Sequence, residues 1–151
     1  VPTDITDADL NTILDSARRA PTAFTIQPWH FIVTRDAGKV ERLREVQDVG
    51  QAGAVIAAVG DPAASDFWKE DLAAAIENMH MACTALGYAS LWVAVLPEKE
   101  SLVREAFAIP AGLQPLALLP IGAAREPVTQ AARKAMGEIA HDETFGTSWD
   151  R

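Results

Sequence analysis

The chain has 151 residues, 49% of them apolar and 23% charged, with a formal net charge of −8 and a pI near 4.8. That is the length of one domain, able to bury about 70% of the surface its unfolded form exposes without disulfides or metals to staple it. The acidic balance argues against a nucleic-acid footprint, which needs basic residues gathered on one face, and no apolar run approaches the ~20 residues of a membrane-spanning helix. Any anionic ligand must be met by a few local cations.

Val1 to Asp7 is polar and acidic, without the charged and apolar regions of a signal peptide, and Cys83 is the single cysteine, set among apolar neighbours. The expectation is a reduced, buried thiol in a cytoplasmic protein. Thr6 followed by Asp9 has the form of a helix cap, and Leu10, Ile13, Leu14 and Ala17 recur at helical spacing up to Ala20, where Pro21 closes the segment. Trp29 to Thr34 is aromatic and β-branched and predicts a strand, followed by a short helix with Val40, Leu43 and Val46 on one side. Ala54 to Val59 predicts a second strand, closed by the turn residues Gly60, Asp61 and Pro62.

The longest helical segment runs from about Asp66 to Leu86, and from Leu72 onward it carries few polar residues on any side. A helix apolar nearly all round must be covered nearly all round. In a chain of this length that covering is hard to arrange within one subunit, so part of the helix is expected to pack against a second copy; the alternative is a central helix wrapped by its own subunit. Gly87 ends the helix, Ser90 to Leu96 predicts a third strand, Glu98 to Phe107 a short helix, and Leu116 to Ile121 a fourth strand. Pro120 there marks an edge, a bulge or a last pairing position. The final 29 residues, 123–151, have scattered charges, isolated Phe145 and Trp149, and at most one short helix near Gln130 to Ile139. They read as an extended tail of a single domain, lying on a partner subunit with the two aromatics as anchors.

The common catalytic signatures are missing: no GxGxxG, no GxxxxGK[ST], no HExxH and no GxSxG. His30, His80 and His141 lack paired metal spacing and read as surface or hydrogen-bonded residues. An enzyme with this inventory leaves the hard chemistry to an organic cofactor, which the protein binds, orients and shields. The segment Ala20 to Phe31, APTAFTIQPWHF, sets threonines and a glutamine beside large apolar groups in a helix-to-strand loop. Such groups can hydrogen-bond the edge of a planar heterocycle, and the same composition also makes an ordinary turn.

This segment resembles the APSAxNxQPWxF signature of the nitroreductase family, matching at Ala20, Pro21, Ala23, Gln27, Pro28, Trp29 and Phe31, with Thr22 for the serine. A block from Ala74 to Pro97 resembles the family's long helix, glycine turn and tryptophan-bearing strand, and another from Ile109 to Pro127 its closing strand and tail. The resemblance implies an α+β fold: a mainly antiparallel central sheet flanked by helices, in an entwined homodimer with exchanged tails and FMN at the interface. It places flavin contacts on Pro21, Thr22, Ala23, Thr25 and Gln27. The strand carrying Trp92 would pass the other face, with a backbone amide near Ala94 against N5, and Arg133 and Lys134 would meet the phosphate. The alternative for that basic pair is a solvated helix face.

Two positions depart from the family pattern. Thr25 replaces the signature asparagine, and the arginine-bearing strand of form RRSxR that precedes the first helix would lie before Val1. The expectation is either a shortened chain or weaker flavin binding, since charge-assisted bonds are about twice as strong as neutral ones. Arg18 and Arg19 are candidate substitutes, with surface charges as the alternative. The implied reaction passes a hydride from NAD(P)H through the flavin to a nitroaromatic, quinone or similar small-molecule acceptor. Phe24, Trp68 and Trp92 either shape the pocket or pack in the core. The fold type also serves flavin fragmentation, reductive dehalogenation and ring dehydrogenation, and a flavin-binding or cofactor-free dimer without turnover is the contrasting class.

Overall fold

A computed structural model describes residues 3–47, 51–124, 126 and 129–149. The chain opens with α1 (Asp7–Arg18), in which Thr6 accepts a hydrogen bond from the Asp9 amide and Leu10, Ile13 and Ala17 face inward. After a 3-10 turn at Ala23–Thr25 come β1 (Trp29–Thr34), α2 (Ala37–Leu43) and β2 (Ala54–Gly60). The long α3 (Trp68–Ala85) leads through Gly87, at φ 82°, into an edge made of β3 (Ala89–Ser90) and β4 (Val93–Ala94). Then follow α4 (Glu100–Phe107), β5 (Gln114–Gly122) and a single turn, α5 (Met136–Ile139).

All strand pairings are antiparallel, in the order β1-β2-β5-β3, with β4 also on β5. The fold is therefore α+β. Every residue of β2 is buried, because helices cover both faces of the sheet. Ala54, Ile56 and Ala58 meet α1 and α3 through Ile13, Leu72, Ile76 and Met79. Val55, Ala57 and Val59 meet α2 and α4 through Val40, Leu43, Val103 and Phe107. The two-residue period of a strand divides one apolar run between two cores. Asn78 donates to the Ser16 carbonyl at 3.0 Å and so ties α3 to α1.

Several expectations change here. The strand expected over Ser90–Leu96 is two short pieces, and the reason lies across the sheet. Leu91 donates to the carbonyl of Pro120 at 3.3 Å, but Pro120 has no N–H to return, so the ladder lapses at Leu91 and Trp92 and resumes at Val93. Pro120 itself lies in a central strand, paired with Val55 on its other side, rather than at an edge or a last pairing position. The tail, read as holding at most one short helix near Gln130–Ile139, has the single turn α5, and Arg133 and Lys134 lie outside it. Val46 falls in a turn beyond α2. Part of the third block, at Arg125 and Pro127, lies outside the described residues.

Candidate functional site

The loop after α1 is the most strained part of the described chain. Phe24, Thr25 and Gln27 have φ of 53°, 61° and 56°. For a bulky or β-branched side chain this left-handed region is an outlier, at a cost of order 1–3 kcal/mol per residue. Such a conformation persists only where its surroundings over-determine it. Here the Thr25 amide donates to the Thr22 carbonyl, the Ile26 amide to the Ala23 carbonyl and the Trp29 amide to the Gln27 carbonyl. The Gln27 amide reaches the Thr22 hydroxyl at 3.2 Å. From outside the loop, Asp71 on α3 accepts from the Ala23 amide at 2.9 Å.

Held this way, the loop leaves Thr22 and Ala23 half-buried and presents Pro21, Phe24, Thr25, Ile26 and Gln27 to solvent. Phe24 is 85% exposed. Trp68 packs on the main core instead, and its ring lies where a Cβ on Gly60 would be, which requires glycine at the end of β2.

A second group lies farther along α3. Trp92 is partly exposed and stacks on His80 with ring centroids 6.4 Å apart. His80 Nδ1 and the Ser90 hydroxyl are 2.6 Å apart. Burial pushes the His80 imidazole below the usual histidine range, against the opposing pull of Glu77. Leu91 and Val95 turn their amides toward β5; antiparallel alternation therefore turns those of Trp92 and Ala94 outward, along the open edge. Beneath them Cys83 is buried, and burial raises its thiol pKa.

The third group is the tail. Every described residue from Ala123 to Ile139 is exposed, including Arg133 and Lys134. Arg133 donates to the Ala131 carbonyl at 2.9 Å. Beyond α5, Asp142 donates to Thr147 and Trp149 to Ala140, which closes a small hairpin with Phe145 93% exposed at its tip. Arg18 and Arg19, the candidate substitutes, both pair with Asp15 on α1.

The sequence matches the profile of the nitroreductase family over residues 1–48 and 43–123. The chain belongs to the nitroreductase family. A relative from Archaeoglobus fulgidus, provisionally named NADH dehydrogenase/NAD(P)H nitroreductase, is 37% identical over 128 residues, covering 78% of this chain and 74% of that protein. A protein of the same provisional name from Methanothermobacter thermautotrophicus is 31% identical over 122 residues; the match covers 75% of this chain but 64%, just under two thirds, of that protein. The structure of an FMN-dependent nitroreductase from Clostridium difficile superposes with a TM-score of 0.86 at 23% identity, over 96% of this chain and 92% of that one. That similarity shows the nitroreductase fold.

Within this nitroreductase fold, the structure brings Pro21, Thr22, Ala23, Thr25 and Gln27 together on one loop and Trp92 and Ala94 together on one edge, and it separates the two groups. Ala23 is anchored at Asp71 and Trp92 stacks at His80. The nine-residue step along the helix from Asp71 to His80 spans roughly 13 Å. Arg133 and Lys134 lie apart from both, on the tail. Among the described residues no helix is long and apolar enough to cross a membrane. Sequence reasoning missed Asp71. Its signal was its phase: Asp71, Ala75, Met79 and Cys83 follow one another at intervals of four along the buried stripe of α3.

Proposed function

We propose that this chain is an FMN-dependent oxidoreductase that works as a homodimer, with each flavin held between two subunits and NAD(P)H as the electron donor. The observation that carries this reading is the separation of the two half-sites along α3. A strained loop presenting a hydroxyl and an amide lies at one end of the helix, and an edge with outward amides and an exposed tryptophan lies nearer the other. A two-fold axis crossing α3 would lay one subunit's loop opposite its partner's edge strand, and such interfaces are self-complementary by construction.

The apolar surface around this helix supports the same arrangement. Phe67, Met81, Leu91, Trp92 and Leu96 are between 38% and 64% exposed. The tail also fits a partner, because a stretch with no described side chain fully buried contributes little as a monomer while carrying the exposed Met136, Ile139, Phe145 and Trp149.

The donor set fits FMN. Thr22, Thr25 and Gln27, with the backbone of Pro21 and Ala23, would hold the polar edge of the ring. The outward amide of Ala94 would face its N5, Trp92 would border the ring, and Arg133 and Lys134 would neutralise the phosphate in an otherwise acidic protein. Bound FMN would supply the hydride chemistry, taking two electrons from the nicotinamide and delivering them to an acceptor such as a nitroaromatic or a quinone. The chain's own groups bind, orient and exclude water; no acid-base cluster is required of them.

The test is to incubate the protein with FMN, desalt it, and record its absorption spectrum and molecular mass in solution. Retained flavin in a dimer, followed by oxidation of NADH or NADPH that depends on a nitroaromatic or quinone, supports the reading. Flavin without turnover would replace it with a binding role, and a colourless monomer would overturn it.

A further inference from the structure

Asp71 is 6% exposed, and it meets the candidate site through a single contact. Its Oδ1 accepts from the Ala23 amide at 2.9 Å, while its Oδ2 is buried with no hydrogen-bond partner among the described residues. A carboxylate removed from water is costly, and a half-satisfied one more so, because the desolvation of the unpaired oxygen is not returned by any bond. Replacing a whole buried polar pair with apolar groups of similar shape is commonly neutral or stabilising, because nothing is then left unpaired. Packing therefore gives no reason for an aspartate between the apolar Leu72 and Ala75 and the loop above.

The loop gives one. Ala23 opens the turn that carries the three residues at positive φ, and of the hydrogen bonds holding Ala23 to Gln27, the one from Asp71 comes from outside the loop. The others are short-range and travel with the turn. A helix side chain in a packed core has a fixed position, so this bond ties the turn to the rigid body of the fold. We infer that Asp71 is a positioning residue for ligand binding: it holds the 22–27 turn in the strained geometry that presents Thr25 and Gln27, at some expense to the stability of the fold. This rests on the proposed flavin site for the identity of the ligand, but not for the action on the loop.

The experiment compares the 151-residue parent with Asp71→Leu and Asp71→Asn. It measures FMN affinity by fluorescence titration, thermal melting, and hydrogen exchange in a peptide covering residues 20–28. Asp71→Leu, which relieves the unpaired Oδ2 but leaves the Ala23 amide without its acceptor, is expected to melt near the parent temperature, to exchange faster in the loop peptide, and to bind FMN about tenfold or more weakly. Asp71→Asn keeps an acceptor at the Oδ1 position and is expected to stay within about threefold of the parent affinity. Should Asp71→Leu fail to fold, Asp71→Ser takes its place, being polar but too short to reach the Ala23 amide, with the same loss expected.

Parent-like affinity and loop exchange in the leucine variant would overturn the inference. So would an affinity loss matched by an equal loss of stability in both variants, which marks a purely structural role. If the parent itself binds no FMN, the flavin reading fails separately, and loop exchange alone decides for Asp71: faster in the variant supports it, unchanged overturns it.

Discussion

Two regions would meet the same ligand and are built on opposite principles. The 22–27 loop is strained, with three non-glycine residues at positive φ, and is fastened to α3 by Asp71. The tail from Ala123 to Trp149 has one helical turn, a small hairpin and no described side chain fully buried. The loop's geometry is set by its own subunit before any partner arrives. The tail has only its own turn and hairpin to set it, and in the proposed dimer the partner would supply the rest. In the proposed site, pre-organisation would thus be concentrated where hydrogen-bond geometry selects the ligand and relaxed where a cation needs only to reach a phosphate.

The sharpest way to break that contrast is to damage body and tail separately. Ile76 is fully buried on α3 between the sheet and α1. Ile76→Ala should lower the stability of the fold by about 2–5 kcal/mol, measured by denaturant melting. Arg133→Ala combined with Lys134→Ala should leave the melt of the ligand-free protein where it was. Its expected effect is on FMN, bound about 10- to 100-fold more weakly, while riboflavin, which has no phosphate, is bound as before. Equal weakening of both ligands would remove the tail pair from the phosphate.

A smaller change bears on the loop. Thr25 stands where the family signature has asparagine, and its φ of 61° gives that asparagine a physical reason. Asparagine is several-fold enriched in the left-handed region, which β-branched residues avoid. Thr25→Asn should raise stability by about 0.5–1 kcal/mol, since part of the strain is relieved, and should strengthen FMN binding through the longer amide. A fall in both would mean that the threonine hydroxyl makes a contact the amide cannot replace.

This loop also marks how far the sequence could be read. The aromatic and β-branched run Trp29–Thr34 and the apolar run from Ala54 carry their own signal, and both are strands within a residue of the expected bounds. The break at Leu91 and Trp92 was out of reach of any local pattern, because its cause is a proline in a partner strand about thirty residues later. Gln130–Ile139, read as at most one short helix, is the converse case. Its alanines and charges suit a helix, but helices short of about 12–15 residues are marginal without packing, and only one turn formed. At the candidate site, residue types pointed to the loop, while the positive φ values were hidden because no glycine advertises them. Asp71 was legible in principle, from its phase with the buried stripe of α3, but a buried acceptor for a loop amide has no pattern of its own in the sequence.

The smallest expected effect is set by pH at the other half-site. His80 is half-buried between Ser90 and Trp92, and its pKa in the folded chain lies below the ordinary value of 6.5, chiefly from burial. The unfolded chain therefore takes up a proton on His80 at a pH where the folded chain does not. Stability rises with pH wherever the unfolded state binds more protons. Acidification from pH 8 should thus leave this contribution unchanged until about pH 6.5 and then erode it, the loss levelling off once the folded-state pKa is passed. His80→Gln keeps a polar group within reach of Ser90 and has no proton to gain, so its melting temperature should fall less than the parent's between pH 7 and pH 5.5. Trp92 fluorescence should report the same step, because a charged ring stacked on the indole quenches it differently from a neutral one. Identical pH dependence in parent and variant would place the acid sensitivity among the carboxylates, with Asp9 the first to examine: its bond from Tyr88 holds its pKa below the usual range, so its contribution is lost at lower pH.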